Sequence, residues 1–586
     1  MPYRKLSPRR RIDCCDAPLW NRGRLNFGLP RTDPKVAARS AELNNCVMAD
    51  RRTGWCAVVA VTVLFGGRAL SAQQSDQPPH ATLGQVNFAI SCAAEVKADF
   101  NRGVALLHHM TYPLAREVFE RVAATDSTCA MAHWGVAMTL FQPLWPTRPT
   151  ADDLRRGWQA VKQAKALVPG TERERVYLLM VEAFFEPGHA NYWQRIKAWA
   201  EATAQLNDAL PHDEDAAALH ALALLATARS DTIDRTNADR AAELLVSILD
   251  RNPEHPAAMH YLIHANDVPG REQQQLEIVR RYETIAPRNP HALHMPTHIY
   301  VRTGDWDEVI NGNLKAADAA LAHPAGEYVW DEFPHAVEYL VYAELQKGAD
   351  TEAREQLKRL QSTSHLEPTF KTAFHLASTA ARFALERRAW QEAAALRVRE
   401  PATLDWDRFT WPEAVTWFAR GLGALRLGRI AEAMQARDHL AELQNRTTAA
   451  GEALFARNIQ ILSVELQAWL AHTRQQNDSS VMLLQKAAVL EAATPKHAVT
   501  PAPTLPALEL LGDLLLEQGR PAEALDAYRR SLEQYPRRFN SLIGAARAAR
   551  AAADATTARS FYRELLETAV PGGREVVLRE AQAFAN

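Results

Sequence analysis

A 34-residue spacing runs through the C-terminal part of the chain and constrains its fold more than any other feature. Ala524 and Tyr528 recur 34 residues later as Ala558 and Tyr562. A unit of that length accommodates two antiparallel helices and a turn, and each unit buries its apolar face only against its neighbours. The spacing therefore predicts an all-α solenoid, a superhelix of helix-turn-helix repeats, which needs no single compact core to accommodate 586 residues.

The residues at the key positions of this unit resemble the tetratricopeptide repeat. Positions 8, 15, 20, 24 and 32 are occupied by Gly512, Gly519, Ala524, Tyr528 and Pro536. The resemblance is strong near the C-terminus and extends in weaker form from about residue 90 onward. It implies a tetratricopeptide-repeat scaffold that binds partner proteins or peptides in the concave groove of its superhelix.

Three further stretches narrow the resemblance. They are CAMAHWG from Cys129, HYLIHA from His260 and HMPTHIY from His294. These stretches resemble those of an uncharacterised family of exported bacterial tetratricopeptide-repeat proteins. That family implies export but no established activity.

The organisation along the chain follows from the repeats and from two breaks in the helical rhythm. Residues 1–47 are predicted to be a leader that is disordered or not translated, and residues 48–72 a signal peptide. The N-terminal array with the histidine-rich groove covers 85–365, further helical repeats cover 366–493, and a C-terminal repeat pair covers 506–570. The breaks lie at 397–412 and at the proline-rich stretch 494–506.

The N-terminal region has the three parts of a secretory signal. A short basic head begins at Met48, an apolar run of 11 residues extends from Trp55 to Phe65, and small residues precede Gln73. This pattern predicts export and a bacterial periplasmic or secreted location, with no stable membrane span after cleavage. A membrane-anchoring or buried helix is the alternative interpretation, and Met48 is the predicted true start.

The charge balance argues against a nucleic-acid partner. Residues 1–72 hold 13 Lys+Arg and 5 Asp+Glu, which leaves 54 basic and 64 acidic residues in 73–586, a net charge of −10. A general nucleic-acid binder would present a basic stripe instead.

Two cysteines, Cys92 and Cys129, remain after the predicted cleavage. An even number of cysteines in an exported protein favours a disulfide, and neighbouring positions in a solenoid allow one. Two independent buried thiols are the other interpretation.

Histidines cluster in the middle of the chain. Six of the 20 lie within 255–298, and the pair His260 and His264 recurs 34 residues later as His294 and His298. The resemblance to the repeat implies that positions 2, 5, 9, 12 and 13 of the first helix face the groove. Both pairs occupy positions 5 and 9.

This pattern predicts a metal site in the concave groove. Residues four apart share one helix face, and neighbouring helices pack about 8–10 Å apart, so imidazoles from three adjacent units can converge. Imidazole suits zinc, copper and iron, which are the predicted cofactors. The candidate ligands are His260, His264, His294, His298, His335 and Glu338.

Other interpretations of the histidines stay open. A polar groove could bind an anionic small molecule or a peptide terminus, and a duplicated pair could be a packing feature. The His260–His264 pair lacks the glutamate that a zincin needs as its base, and no catalytic residue can be named. We expect an exported scaffold with a histidine-rich site rather than an enzyme; the alternative is a metal-dependent hydrolase or oxidoreductase built on the solenoid.

Overall fold

The structure is a computed structural model that describes residues 82–228 and 235–585. The predicted leader 1–47 and signal peptide 48–72, with the expected cleavage before Gln73, lie outside the described residues. Within the described ranges, no helix combines the length and apolarity needed to cross a bilayer.

The described residues form helices joined by turns, without a β-strand. The N-terminal helices are α1 Lys97–His108, α2 Tyr112–Thr125, α3 Ala130–Met138, α4 Ala151–Ala166, α5 Glu172–Phe185, α6 Tyr192–Ala209, α7 Glu214–Ala226 and α8 Thr236–Leu249. The central helices are α9 Pro256–Asn266, α10 Glu272–Ile285, α11 Pro290–His294, α12 Thr297–Thr303, α13 Trp306–Ala322, α14 Glu332–Gln346, α15 Asp350–Ser362, α16 Phe370–Glu386 and α17 Trp390–Ala394. The C-terminal helices are α18 Thr410–Arg426, α19 Ile430–Ala449, α20 Ala453–Thr473, α21 Asn477–Ala492, α22 Ala507–Glu517, α23 Pro521–Gln534, α24 Phe539–Ala551, α25 Ala555–Thr568 and α26 Glu575–Phe584.

An aromatic residue between two glycines joins neighbouring repeats near the C-terminus. Tyr528 on α23 packs between Gly512 on α22 and Gly544 on α24, and a Cβ atom at those glycines would lie 2.7 and 2.4 Å from its ring. Real Cβ atoms do not approach so closely, so only glycine lets the ring lie across both helices. The all-α solenoid predicted from the 34-residue spacing is confirmed.

A proline interrupts the second histidine helix. Pro296 has no N–H to donate to the preceding turn, and α11 ends at His294 before α12 begins at Thr297. The Thr297 hydroxyl donates to the His294 carbonyl, with an oxygen–oxygen distance of 2.6 Å. The break leaves His294 and His298 on two short helices rather than on one continuous helix.

The proline-rich stretch 494–506, which we call the strap, runs across helices α14, α16 and α18. Val499, Ala502 and Leu505 are buried. Arg382 on α16 donates to the Ala502 and Pro503 carbonyls at 3.0 and 2.9 Å. The strap therefore lies against the helices of the histidine repeats, where Lys496 pairs with Asp267.

The superhelix also turns back on itself. The indole nitrogen of Trp306 donates to the Arg537 carbonyl at 3.1 Å, and helix α14 contacts α24. Arg148, in the loop before α4, pairs with Glu452 before α20 at 3.0 Å. These long-range contacts join the N-terminal and central helices to the C-terminal ones.

A disulfide joins Cys92, before α1, to Cys129, the residue that precedes α3. The structure thus forms the first of the two arrangements that the sequence allows for these cysteines. The bond connects the start of one repeat to the start of the next.

Candidate metal centre

Six buried or half-buried histidines from helices α9, α11, α12 and α14 form two adjacent triads. In each triad one ring nitrogen from every member lies within 4.8 Å of the others. The first triad is His260, His264 and His291; the second triad is His294, His298 and His335. The histidines of the single predicted site are thus divided between two triads.

The first triad contains two nitrogen lone pairs that face each other. The Nε2 atoms of His260 and His291 are 3.1 Å apart. The His260 Nδ1 lies 2.6 Å from the His108 carbonyl and the His291 Nδ1 lies 3.1 Å from a Glu332 carboxylate oxygen. Both partners only accept hydrogen bonds, so each Nδ1 carries the proton of a neutral ring and each Nε2 is bare.

The second triad repeats this arrangement with different partners. The Nε2 atoms of His294 and His298 are also 3.1 Å apart. The His294 Nδ1 lies 2.7 Å from Asn313 Oδ1, whose identity is set by Asn313 Nδ2 donating to the Val309 carbonyl. The His298 Nδ1 donates to Asp267 at 3.0 Å. Two bare Nε2 atoms again face each other.

The third member of each triad has a buried nitrogen without a partner. Among the described residues, neither His264 Nε2 nor His335 Nε2 has a hydrogen-bond partner. The His335 Nδ1 donates to His375 Nε2 at 2.9 Å, and His375 Nδ1 donates to Glu338 at 2.5 Å. This chain directs the lone pair of His335 Nε2 toward the triad.

Two facing lone pairs repel unless a cation lies between them. Tetrahedral bonds of about 2.05 Å to zinc would place two ligand nitrogens roughly 3.3 Å apart. The observed separation of 3.1 Å in both pairs is close to that value. Carboxylates and carbonyls on the far nitrogen are also the partners that orient metal-binding histidines.

A proton on one of the histidine rings cannot take the place of this cation at neutral pH, because burial disfavours the charged form of the ring. Burial lowers the pKa of His260, His264, His294 and His335 well below its ordinary value. Burial likewise lowers the pKa of His298 to about 4. These five rings are therefore neutral ligands near pH 7.

The carboxylate behind the first triad is kept ionised by a buried lysine. Burial alone would raise the pKa of Glu332, but Lys371 and His291 outweigh it and hold that pKa below its ordinary value. Lys371 also pairs with Asp331 at 2.7 Å and lies 4.1 Å from the ring centre of Trp145. Glu332 therefore remains an acceptor for the Nδ1–H of His291.

The carboxylate behind the second triad has two cationic neighbours. Asp267 accepts from Lys496 on the strap at 2.8 Å and from Arg302 at 2.5 Å. Burial would raise the pKa of Asp267, yet these two cations hold it well below its ordinary value. The strap is thus tied to the second triad through one carboxylate.

Aromatic side chains complete the enclosure. Trp145 packs edge-on against His291 and His335, with ring centres 5.2 and 5.6 Å apart. Tyr339 lies 4.6 Å from His294, centre to centre, and its hydroxyl donates to the Ala498 carbonyl of the strap at 3.5 Å. These rings pack against members of both triads.

Five of the six predicted ligands lie in the triads, and Glu338 does not. Its carboxylate is bound by His375, Ser378 and Arg382, so it acts behind His335. His291 and His375 were absent from the predicted set. His291 occupies position 2 of its repeat, which was a usable signal; His375 follows a turn of irregular length and carried none.

Comparison with known proteins identifies the repeat but not a function. Residues 506–538 match the family model described as the tetratricopeptide repeat. No curated protein matches the chain.

Several solved structures are similar over long stretches at low identity. The APC/C hetero-tetramer Cut9-Hcn1 is 15% identical, with 83% of this chain and 90% of that chain covered and a TM-score of 0.33. The human IFIT1 dimer with m7Gppp-AAAA is 13% identical, with 75% and 90% covered and a TM-score of 0.36. A tetratricopeptide repeat protein from Parabacteroides merdae is 14% identical, with 51% and 99% covered and a TM-score of 0.26. Because these identities are low, the function of this chain has to be argued from its own residues.

Proposed function

We propose that this tetratricopeptide-repeat protein binds a pair of transition-metal ions, one in each histidine triad. One observation carries the proposal: in both triads, two unprotonated Nε2 atoms face each other at a distance of 3.1 Å. Each Nδ1 of these pairs is committed to an acceptor, so neither pair can be an ordinary hydrogen bond between neutral rings.

The chemistry of the donors selects the class of metal. Each triad offers three neutral imidazole nitrogens, a set that suits zinc, copper or iron, whereas calcium and magnesium prefer oxygen. Three protein ligands leave one position of a tetrahedral ion for a further ligand. The strap, Trp145 and Tyr339 cover the site, which favours retention of metal over turnover of a large substrate.

Metal analysis of single-site variants tests the proposal. Purified protein saturated with zinc and then dialysed should retain about two ions per chain, one per triad. His264→Ala and His335→Ala should each lower the content to about one, and the double variant should lose both. His439→Ala, on the distant helix α19, is the matched control and should leave the content unchanged.

Two results would overturn this proposal. Wild-type protein that retains neither zinc nor copper after saturation has no metal site. If each single substitution removes all the metal, the triads form one shared site rather than two.

We also propose that the protein is exported and acts as an interaction scaffold. Tetratricopeptide repeats generally bind proteins, and the Cys92–Cys129 disulfide suits an oxidising compartment. The strap covers the inner face at the histidine repeats, so the partner surface in this proposal lies elsewhere on the solenoid. N-terminal sequencing of exported protein should begin at or near Gln73; a mature chain that retains residues before Met48 would contradict export through this signal.

A further inference from the structure

A cavity of about 380 Å³ lies beside the second triad, between the strap and helices α16, α18 and α20. Much of its wall is apolar or aromatic, with contributions from Phe374, Trp411 and Leu462. This volume and this kind of lining are typical of sites for small organic molecules. Two groups of charged residues line the same cavity, and neither is balanced by its neighbours.

Glu465 and Glu491 supply the first group. Glu465 is fully buried, and neither of its carboxyl oxygens has a hydrogen-bond partner among the described residues. Glu491 accepts from the Tyr535 hydroxyl at 3.3 Å and from the Ala507 amide at 3.2 Å. We call these two carboxyls the acidic pole.

Among the described residues, no cation forms an ion pair with either carboxyl of the acidic pole. Burial raises the pKa of Glu465 well above its ordinary value, and Glu491 is the one charged group that adds to that rise. Burial raises the pKa of Glu491 to about 7. An unpartnered buried carboxyl is costly, and a bound ammonium group would supply both its missing donors and its missing charge.

Lys496 and Arg302 supply the second group, the basic pole. Both line the cavity, and both pair with the single carboxylate of Asp267, at 2.8 and 2.5 Å. Two cations on one carboxylate leave one positive charge in excess. An anionic group, such as a carboxylate, would balance that excess.

We propose that this cavity binds a small zwitterion, with its ammonium group at Glu465 and Glu491 and its carboxylate at Lys496 and Arg302. The apolar body of the ligand would lie against Phe374 and the other apolar wall residues. The proposal goes beyond metal binding and stands without it, because no triad histidine lines the cavity.

A matched series of three probes tests it by calorimetry on the purified full chain. The probes are 6-aminohexanoate, hexylamine and hexanoate, which share a chain length and differ only in their charged ends. 6-Aminohexanoate should bind roughly tenfold more tightly, or better, than either single-ended probe. No measurable binding of 6-aminohexanoate, or equal binding of all three probes, would overturn the proposal.

Two substitutions assign the ends of the ligand. Glu465→Gln should reduce 6-aminohexanoate binding to the level of hexanoate and leave hexanoate unaffected. Lys496→Met should reduce 6-aminohexanoate binding to the level of hexylamine and leave hexylamine binding unaffected. The exposed residues Glu442 and Lys486 provide the controls, Glu442→Gln and Lys486→Met, which should behave like wild type.

The same titrations on metal-stripped and zinc-loaded protein separate this site from the triads. Equal binding in both forms is the expected result. Binding that requires zinc and ignores Glu465→Gln would show that the carboxylate is held by the metal, which overturns the cavity proposal while supporting the metal site.

Discussion

His335 Nδ1 donates to His375 Nε2 across 2.9 Å, and this contact links a triad histidine on α14 to a second buried histidine on α16. His375 in turn donates to Glu338, which also binds Arg382 and Ser378. The chain of donors allows only one tautomer for each ring, so the free nitrogen of His335 is its Nε2. Glu338 thus influences the second triad through two imidazole rings.

His375→Leu should weaken metal binding at the second triad only. The substitution removes the acceptor that orients the His335 ring, and loss of such a partner typically costs roughly 10- to 100-fold in metal affinity. Titration against a chromophoric chelator should resolve one weakened and one unchanged site. Equal weakening of both sites, or of neither, would show that the contact does not position His335.

Much of the fold could be predicted because the residues that define the repeat lie close together in the sequence. Gly512 and Tyr528 contact each other within one repeat, so their spacing along the chain reports the packing directly. The histidine pairs could be found for the same reason, since position in the repeat sets which face a side chain occupies. His260 and His294 therefore appear in the sequence as the same position of two successive units.

The rest of the site depends on contacts that no spacing records. The strap has no helical period, so its path across the triads, and with it the Lys496–Asp267 pair, could not be predicted. The division into two triads was missed because His291 joins the histidine pair of the preceding repeat, whereas His294 and His298 join His335 of the following one. Each of these features depends on tertiary packing rather than on position in a repeat.

Arg538→Met should be strongly destabilising. Arg538 is fully buried and binds Glu386 at 2.8 Å and Glu509 at 3.0 Å. Its removal leaves the buried Glu386 carboxylate without this cation and Glu509 with the longer contact to Arg388 at 3.6 Å. Breaking a buried pair of this kind costs about 3–5 kcal/mol. Urea denaturation should show this loss, whereas Arg547→Met, which breaks a half-exposed pair with Glu580, should cost less than about 1 kcal/mol. Similar losses for both variants would contradict the assignment.

Removal of the disulfide should lower stability without disturbing the triads. The bond spans 37 residues, and loss of that constraint on the unfolded chain costs about 4 kcal/mol in the chain-entropy account. We expect the Cys92→Ser/Cys129→Ser variant to unfold at lower urea and to keep its full metal content. Peptide mapping without reductant provides the direct check, and two freely alkylated thiols in native exported protein would refute the bond.

Glu491 should make the protein less stable as the pH rises from about 4.5 to 7. Its folded-state pKa is raised to about 7 by burial, so the protonated form favours the folded state. That contribution is fully present below the unfolded pKa near 4.5 and is lost as the pH rises through the folded value. This difference between the folded and unfolded pKa of Glu491 corresponds to a loss of unfolding free energy on the order of 3 kcal/mol at alkaline pH. Glu491→Gln cannot ionise, so its unfolding free energy relative to wild type should increase between pH 4.5 and 7 and then level off.

The exposed-site variant Glu442→Gln should follow the wild-type profile. If Glu491→Gln follows it as well, Glu491 is ionised in the folded protein and the acidic pole already has its counter-charge.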